Sequence, residues 1–197
     1  MDTTAALMEK FSPPITKMIR MDHSHVMVTA HKYTADASPD KKQAVVTAVC
    51  RALEIHAQLE EEIFYPALRE VWGDEEALRK AKPEHDEMRR VIAELRDTEP
   101  TDPRYDARFM ELMRDVLHHV ADEETVLLPA AEKMLAERLP ALGAQMTRRR
   151  MQLVKPHAGE MATATARAMP AGTMLVAGGL LTGAYLIGRG LSQRRHH

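Results

Sequence analysis

Apolar positions recur along this chain with the period of an α-helix in four long blocks. The first block places Ile15, Ile19, His23, Val26, Ala30 and Tyr33 on one face. The second places Val45/Val46, Val49, Leu53, His56, Glu60, Ile63 and Ala67 together. The third runs Leu78, Ala81, His85, Met88, Ile92, Leu95, and the fourth Phe109, Leu112, Val116, His119, Glu123, Val126. Steps of three and four residues put each set on the side of a helix that packs. Ser12-Pro13-Pro14 predicts a first helix with Ser12 as N-cap, running to Tyr33 or Ala35. Ser38-Pro39 starts a second in the same way, ending at Trp72-Gly73-Asp74, with Pro66 inside it expected to kink it or to thin its hydrogen bonding locally. A third is expected over about 75–97, divided at Pro83, and a fourth from about Pro103 to Arg138 with Pro129 inside it. Leu139-Pro140 then breaks the pattern, and a short basic helix to about Lys155 follows.

Four amphipathic helices joined by short turns predict an all-α fold, an up-down-up-down four-helix bundle over residues 12–138. Around it lie a lead-in at 1–11, a basic helix and linker at 139–167, a glycine-rich hydrophobic segment at 168–191 and a basic tail at 192–197.

Each stripe carries polar residues where a helix should bury hydrophobic ones. His56 to Pro66 reads HAQLEEEIFYP, and His119 to Pro129 repeats it loosely as HVADEETVLLP. Residues four apart lie one turn apart on one face, so His56 points with Glu60 and His119 with Glu123. The repeat extends upstream, since His23 precedes His56 by 33 residues and His85 precedes His119 by 34. Each half is an αα-hairpin supplying a histidine from its first helix and a histidine with a glutamate from its second. Facing helices then bring four histidines and two glutamates into the core. Imidazole and carboxylate together suit iron, manganese or zinc, and this ligand count is that of a dinuclear site. A buried carboxylate without a partner costs several kcal/mol, so a cation is expected to compensate it.

Single features also have blander readings. One core histidine on an apolar face is more often satisfied by a backbone carbonyl than by a metal. It is the register of four with two glutamates that points to ligation. His25, on a Met18–Met21–His25–Val28 line, is the rival to His23, and the longer stripe and the repeat favour His23. His118 falls with Glu111, Asp115 and Asp122 on a solvated face, and His31, His157, His196 and His197 read as surface residues. Glu61 and Glu62 read as surface charge or as groups that orient histidines. Tyr65 reads first as packing.

Composition adjusts this picture in a few places. The chain is 45% hydrophobic and 28% charged, with aromatics at 4% and 14 Met, in keeping with a helical domain. Cys50 is the one cysteine, which excludes an intrachain disulfide and reads as a small core residue. From Pro140 onward there are eight Lys/Arg and one acid, Glu160, giving +7, so the remainder of a chain of net charge -2 carries -9. That acidity argues against nucleic acid as a partner, the Arg148–Arg150 cluster being short. Met1 to Lys10 lacks the basic start and apolar run of a secretory leader, so a cytoplasmic domain is expected. Ala168 to Gly188 is 21 residues without a charge, contains the close-contact spacing of Gly179 and Gly183, and is flanked by arginines. It reads as a candidate membrane anchor, against the alternative of an Ala/Gly-rich tail.

The arrangement His, HxxxE, His, HxxxE on four helices resembles the hemerythrin-like, or HHE cation-binding, family. The resemblance covers about residues 12–138 and rests on HAQLEEEIFYP and HVADEE, with Asp22-His23 and Glu84-His85 in support. It implies a carboxylate-bridged pair of iron ions held by His23, His56, Glu60, His85, His119 and Glu123, with Glu60 and Glu123 as bridges. It further implies binding of, or reaction with, dioxygen, peroxide or nitric oxide, or a regulatory module that responds to iron or oxygen without turnover. Oxygen carriers of the family have another histidine one turn along the third helix, where this chain has Arg89. Six ligands instead of seven leave more open positions, which favours reaction over reversible carriage; Glu61, Glu124 or water are candidates for the missing one.

Overall fold

The computed structural model describes residues 12–159 and 162–163, and it is helical throughout, with no strand among the described residues. Ser38 caps α2 (Pro39–Leu59): its hydroxyl accepts from the Lys41 amide at 3.4 Å, and Pro39 occupies the first turn. Ser12 does not cap α1, which starts behind Pro14 at Ile15 and ends at Ala30. A residue before proline is disfavoured in the helical region, which keeps Ser12 and Pro13 out of the helix; Pro14, at φ -52° and ψ 146°, directly precedes its first residue Ile15. The first helix ends short of Tyr33, yet that side chain still turns inward. Its ring lies 4.4 Å from that of Phe109, and its hydroxyl donates to Asp106 at 2.5 Å.

The helices that carry Pro66 and Pro129 each contain a π turn just ahead of the proline. α2 passes through the π turn Glu60–Phe64 into α3 (Tyr65–Trp72), and α5 (Arg104–Asp122) passes through Glu123–Leu127 into α6 (Leu128–Met134). The Tyr65 amide bonds back to the Glu60 carbonyl, and the Leu128 amide to that of Glu123. Pro66 and Pro129 follow immediately. Widening the helix by one residue absorbs the donor that each proline lacks. It also shifts the register, so that Val126, expected inside, is 40% exposed while Leu127 is 1% exposed. α4 (Glu76–Arg96) is continuous, and Pro83 does not divide it. Pro83 and Arg79 are both exposed, so the carbonyl that loses its donor is on the solvent side. Gly73, at φ 81°, ends α3 in the left-handed region and donates its amide to Arg69 at 2.9 Å.

α1 packs on α2, α4 on α5, and α2 on α4, closing the bundle. Two apolar clusters fill it. One, with Ile15, Ile19, Leu59, Phe64, Leu78 and Leu127, occupies one end. The other, with Val26, Val49, Leu53, Ile92, Phe109 and Val116, occupies the opposite end. Between them in every stripe lie His23, His56, Glu60, His85, His119 and Glu123, a buried polar layer. Cys50 is buried in the second cluster, and burial pushes its thiol up to about 12, so it is a packing residue.

α7 (Leu139–Val154) is the expected basic helix, with Pro140 in its first turn, and it lies across α1 and α2. A Cβ on Gly143 would stand 2.0 Å from the Pro13 carbonyl oxygen. Gly143→Ala is therefore expected to push α7 off the start of α1, at a cost of about 1–3 kcal/mol, read as a lower thermal midpoint and faster amide exchange in 139–154. No helix among the described residues is long and apolar enough to cross a membrane. Residues 1–11, 168–191 and 192–197 lie outside the described residues, as do most of 160–167, so the anchor reading is not addressed there.

Candidate metal centre

α1 brings His23, α2 brings His56 and its π turn Glu60, α4 brings His85, and α5 brings His119 with Glu123 at the head of the second π turn. All six side chains are buried, and both glutamates are 0% exposed. They converge as two groups whose ligand atoms lie within 4.8 Å of one another: His23, His56, Glu60 and Glu123, and Glu60, His85 and His119. Glu60 belongs to both. Glu123 also reaches both sides, since its Oε2 lies 3.0 Å from His23 Nε2 and 3.6 Å from His119 Nε2.

Every histidine directs Nε2 inward and Nδ1 outward onto a carboxylate. His23 Nδ1 meets Glu124 at 2.8 Å, His85 Nδ1 meets Glu61 at 3.0 Å, and His119 Nδ1 meets Glu84 at 2.7 Å. Asp22 Oδ2 lies 3.5 Å from His56 Nδ1. The two halves use the same rule. The residue before each first-helix histidine (Asp22, Glu84) faces the histidine of the following helix, and the residue after each central glutamate (Glu61, Glu124) faces the histidine of the other hairpin. Carboxylates at Nδ1 fix the tautomer that leaves Nε2 free to bind a metal. Arginines back three of them, Arg89 to Glu61 at 2.7 Å, Arg20 to Glu124 at 2.9 Å and Arg150 to Asp22 at 2.6 and 2.5 Å. Arg89, where oxygen carriers have a further histidine, is thus turned to Glu61.

The inward faces are those of a cation site. His56 Nε2 and one Glu60 oxygen, Oε1, are buried with no hydrogen-bond partner among the described residues. His56 Nε2 lies 3.2 Å from Glu60 Oε2, close enough for a hydrogen bond but not aimed as one. His85 Nε2 and His119 Nε2 stand 3.0 Å apart while both Nδ1 atoms are committed to carboxylates. Two lone pairs that face each other at such a distance are repulsive unless a proton or cation lies between them.

Protonation follows the same geometry. Burial raises Glu60, and the nearby Glu123 charge raises it further, well above the ordinary carboxylate range. Burial also works against an ionised Glu123, but the His23 hydrogen bond and the surrounding imidazoles outweigh it and bring Glu123 down to about 2. Burial lowers His23, yet its bonds to Glu123 and Glu124 prevail and lift it to about 9. The two carboxylates thus differ in direction, burial and the neighbouring charge disfavouring ionisation of Glu60 while the imidazoles favour it at Glu123.

Tyr65, which the sequence suggested as packing, faces the centre. Its hydroxyl donates to Glu123 Oε1 at 2.9 Å and lies 3.3 Å from Glu60 Oε2 and 3.4 Å from His85 Nε2. Its place beside the repeated histidine and glutamate motif was the available signal. On the other side of the layer, Val26, Leu53, Met88, Ile92 and Val116 line a cavity of about 20 Å³ whose floor is the four histidines. That is room for one water-sized molecule. His25, His31 and His118 are exposed, and His157 is half-buried.

The DNA nickase of Nostoc sp. is 30% identical to this chain over 122 residues, which is 62% of this chain but 34% of that protein. The chain thus spans about a third of that relative's length. A crystal structure of a hemerythrin HHE cation-binding domain-containing protein from Mycobacterium kansasii superposes with a TM-score of 0.63 at 19% identity, covering 80% of this chain and 99% of that one. That likeness supports the fold. The model of the hemerythrin HHE cation binding domain matches residues 15–131, which take in all four rods and all six inward-facing ligand candidates. With more than half of its length matched, the chain belongs to the hemerythrin HHE cation-binding domain family.

Proposed function

We propose that this chain is a non-haem di-iron protein that binds or reacts with dioxygen or a related small molecule, peroxide or nitric oxide. The observation that carries the reading is the pair of imidazole nitrogens His85 Nε2 and His119 Nε2 at 3.0 Å, with the same arrangement of histidine and carboxylate repeated around His23 and His56. His23 and His56 would hold one ion, His85 and His119 the other, and Glu60 and Glu123 would bridge them. The mixed imidazole and carboxylate donors suit iron, manganese or zinc alike, and the choice of iron rests on the family. Bound iron supplies electron exchange with a small oxidant, chemistry that none of the six side chains has alone.

The chain's own residues do the rest. Asp22, Glu61, Glu84 and Glu124 fix the imidazole tautomers. The cavity beside the imidazoles has room for one small molecule and is walled mainly by apolar side chains, with Glu54 and Arg89 also among its lining. Tyr65 holds its proton against Glu123, because burial and the two carboxylates raise its hydroxyl well above the ordinary range. It is a hydrogen-bond donor on the face opposite the cavity. Mixing anaerobic, iron-loaded protein with dioxygen, peroxide or nitric oxide in a stopped-flow spectrometer tests the reading. A rapid new absorption band is expected with at least one of them. No spectral change with any of the three leaves the regulatory alternative, in which metal binding stabilises the bundle without turnover.

Two sequence readings extend the proposal. Residues 168–191 would tether the domain to a membrane, which fractionation of the full chain against a chain ending at 163 would test. DNA as a partner is supported by the Nostoc relative's name alone. Arg149 and Arg150, the basic cluster that a phosphate would need, are engaged with Glu62 and Asp22. Conversion of supercoiled plasmid to nicked circles by the metal-loaded protein would favour that reading.

A further inference from the structure

The bundle is not the whole of the described chain. α7 lies outside the matched residues 15–131, and it sends two adjacent arginines back onto the bundle. Arg149 takes Glu62 in a bidentate pair at 2.6 and 2.9 Å. Arg150 takes Asp22 in another, Nη1 on Oδ1 at 2.6 Å and Nη2 on Oδ2 at 2.5 Å. The pairs look equivalent but end in different places. Glu62 is exposed and touches none of the six ligand candidates. Asp22 is the carboxylate behind His56, with Oδ2 3.5 Å from Nδ1.

His56 is the least secured of the four imidazoles. The other three have Nδ1 within 3.0 Å of a carboxylate, whereas His56 sits 3.5 Å from one that Arg150 already holds by both oxygens. Its Nε2 is also without a hydrogen-bond partner among the described residues. Arg20 and Arg89, which back Glu124 and Glu61, belong to the four rods. Arg150 comes from α7 and buries its Nε with no partner among the described residues, an unfavourable placement for a contact that served docking alone. Asp22 is therefore shared between α7 and one of the imidazoles that face the centre.

Building on the metal reading, we propose that Arg150 is a positioning residue of the metal centre and that α7 docking and metal binding reinforce each other through Arg150, Asp22 and His56. A docked α7 holds Asp22 where it can receive the Nδ1 proton, which aims Nε2 at the ion. A bound ion, by fixing His56, holds Asp22 where Arg150 docks. Linkage makes the two effects equal in size. The occupancy of the centre is thereby passed to a helix that leads directly into the basic C-terminal part of the chain.

The test uses the full chain. Ferrous ion affinity is measured anaerobically for the wild type, Arg150→Ala, Arg150→Lys, Arg149→Ala and Asp22→Asn, and amide exchange in 139–154 is followed with and without iron. Arg150→Ala is expected to weaken affinity about 10- to 100-fold, the usual effect of losing a group that orients a metal ligand. Arg150→Lys should recover part of that loss, and Arg149→Ala should stay within about twofold, although it removes a comparable ion pair from the same helix. Adding Arg150→Ala to Asp22→Asn should cost nothing more, and iron should slow exchange across α7 in the wild type but not in Asp22→Asn. Equal losses in the two arginine variants, or exchange in α7 indifferent to iron, overturn the proposal while leaving the metal reading intact. A wild-type chain that takes up no metal overturns both, and that shows before any variant is compared.

Discussion

Glu60→Met is expected to abolish metal binding and to raise the melting temperature of the protein prepared without metal. The two effects have one cause. Glu60 is fully buried, belongs to both ligand groups, and has one oxygen without a partner. Burial and the neighbouring Glu123 charge raise it well above the ordinary carboxylate range. A buried polar atom left unsatisfied costs about 1–3 kcal/mol, and an apolar side chain of similar volume in such a place is often stabilising. For a domain of this size each kcal/mol moves the midpoint by about 2–4 °C, so a gain of several degrees is expected in calorimetry with chelator. The same substitution removes the carboxylate shared by the two sites, so the rise in midpoint that iron gives the wild type should vanish. A lower midpoint with iron binding retained would show that Glu60 is a structural hydrogen-bonding residue and no ligand.

Affinity for ferrous ion should climb steeply with pH, by about 100-fold per unit near neutrality when two protons leave on binding. The two protons are those of Glu60 and His23. Glu60 is raised by burial and by Glu123, and His23, despite burial, is lifted to about 9 by Glu123 and Glu124. The metal needs both as bases, so it must displace both protons. Stability without metal should run the other way. A histidine whose folded pKa exceeds 6.5 contributes stability that is full below 6.5 and is lost as pH rises through about 9. The raised Glu60 has the same sign, since the folded protein binds the extra proton and ionisation inside the core is unfavourable. The protein without metal is thus expected to melt higher at pH 6 than at pH 9, while the iron-loaded protein gains with pH. Proton release measured in a pH-stat on adding iron gives the stoichiometry directly, and an affinity flat between pH 6 and 8 would contradict this protonation scheme.

The bundle and its polar layer could be read in the sequence because helical periodicity and an internal repeat report the same thing independently. Ile19, His23 and Val26, or Val116, His119 and Glu123, have only one face to share, and the second hairpin confirms the first. What periodicity could not give was anything that departs from 3.6 residues per turn. The π turns at Glu60 and Glu123 were hidden behind prolines that suggested kinks, and so Val126 was placed inside where Leu127 belongs. Pro83 misled in the opposite way, because an exposed proline leaves a helix continuous when its orphaned carbonyl faces water. The outer carboxylates were partly visible: Glu61 as a group that might orient a histidine, Asp22 and Glu84 only as neighbours of one. Their pairing runs between helices and depends on rotations that no spacing encodes. Tyr65 was visible only as a neighbour of the motif, with pocket lining the lesser alternative to packing, and Arg150 was out of reach, delivered from a helix outside the repeat.

The central claim is tested most directly by metal content per chain, on full-length protein purified without chelator or a metal-affinity step, then reloaded anaerobically with ferrous iron. About two irons per chain are expected, one for each histidine pair, with His23→Ala or His119→Ala lowering the count and His25→Ala leaving it unchanged. A chain that holds no metal and takes up none would mean that the four histidines and two glutamates are a hydrogen-bonded core network, and would contradict the di-iron reading outright.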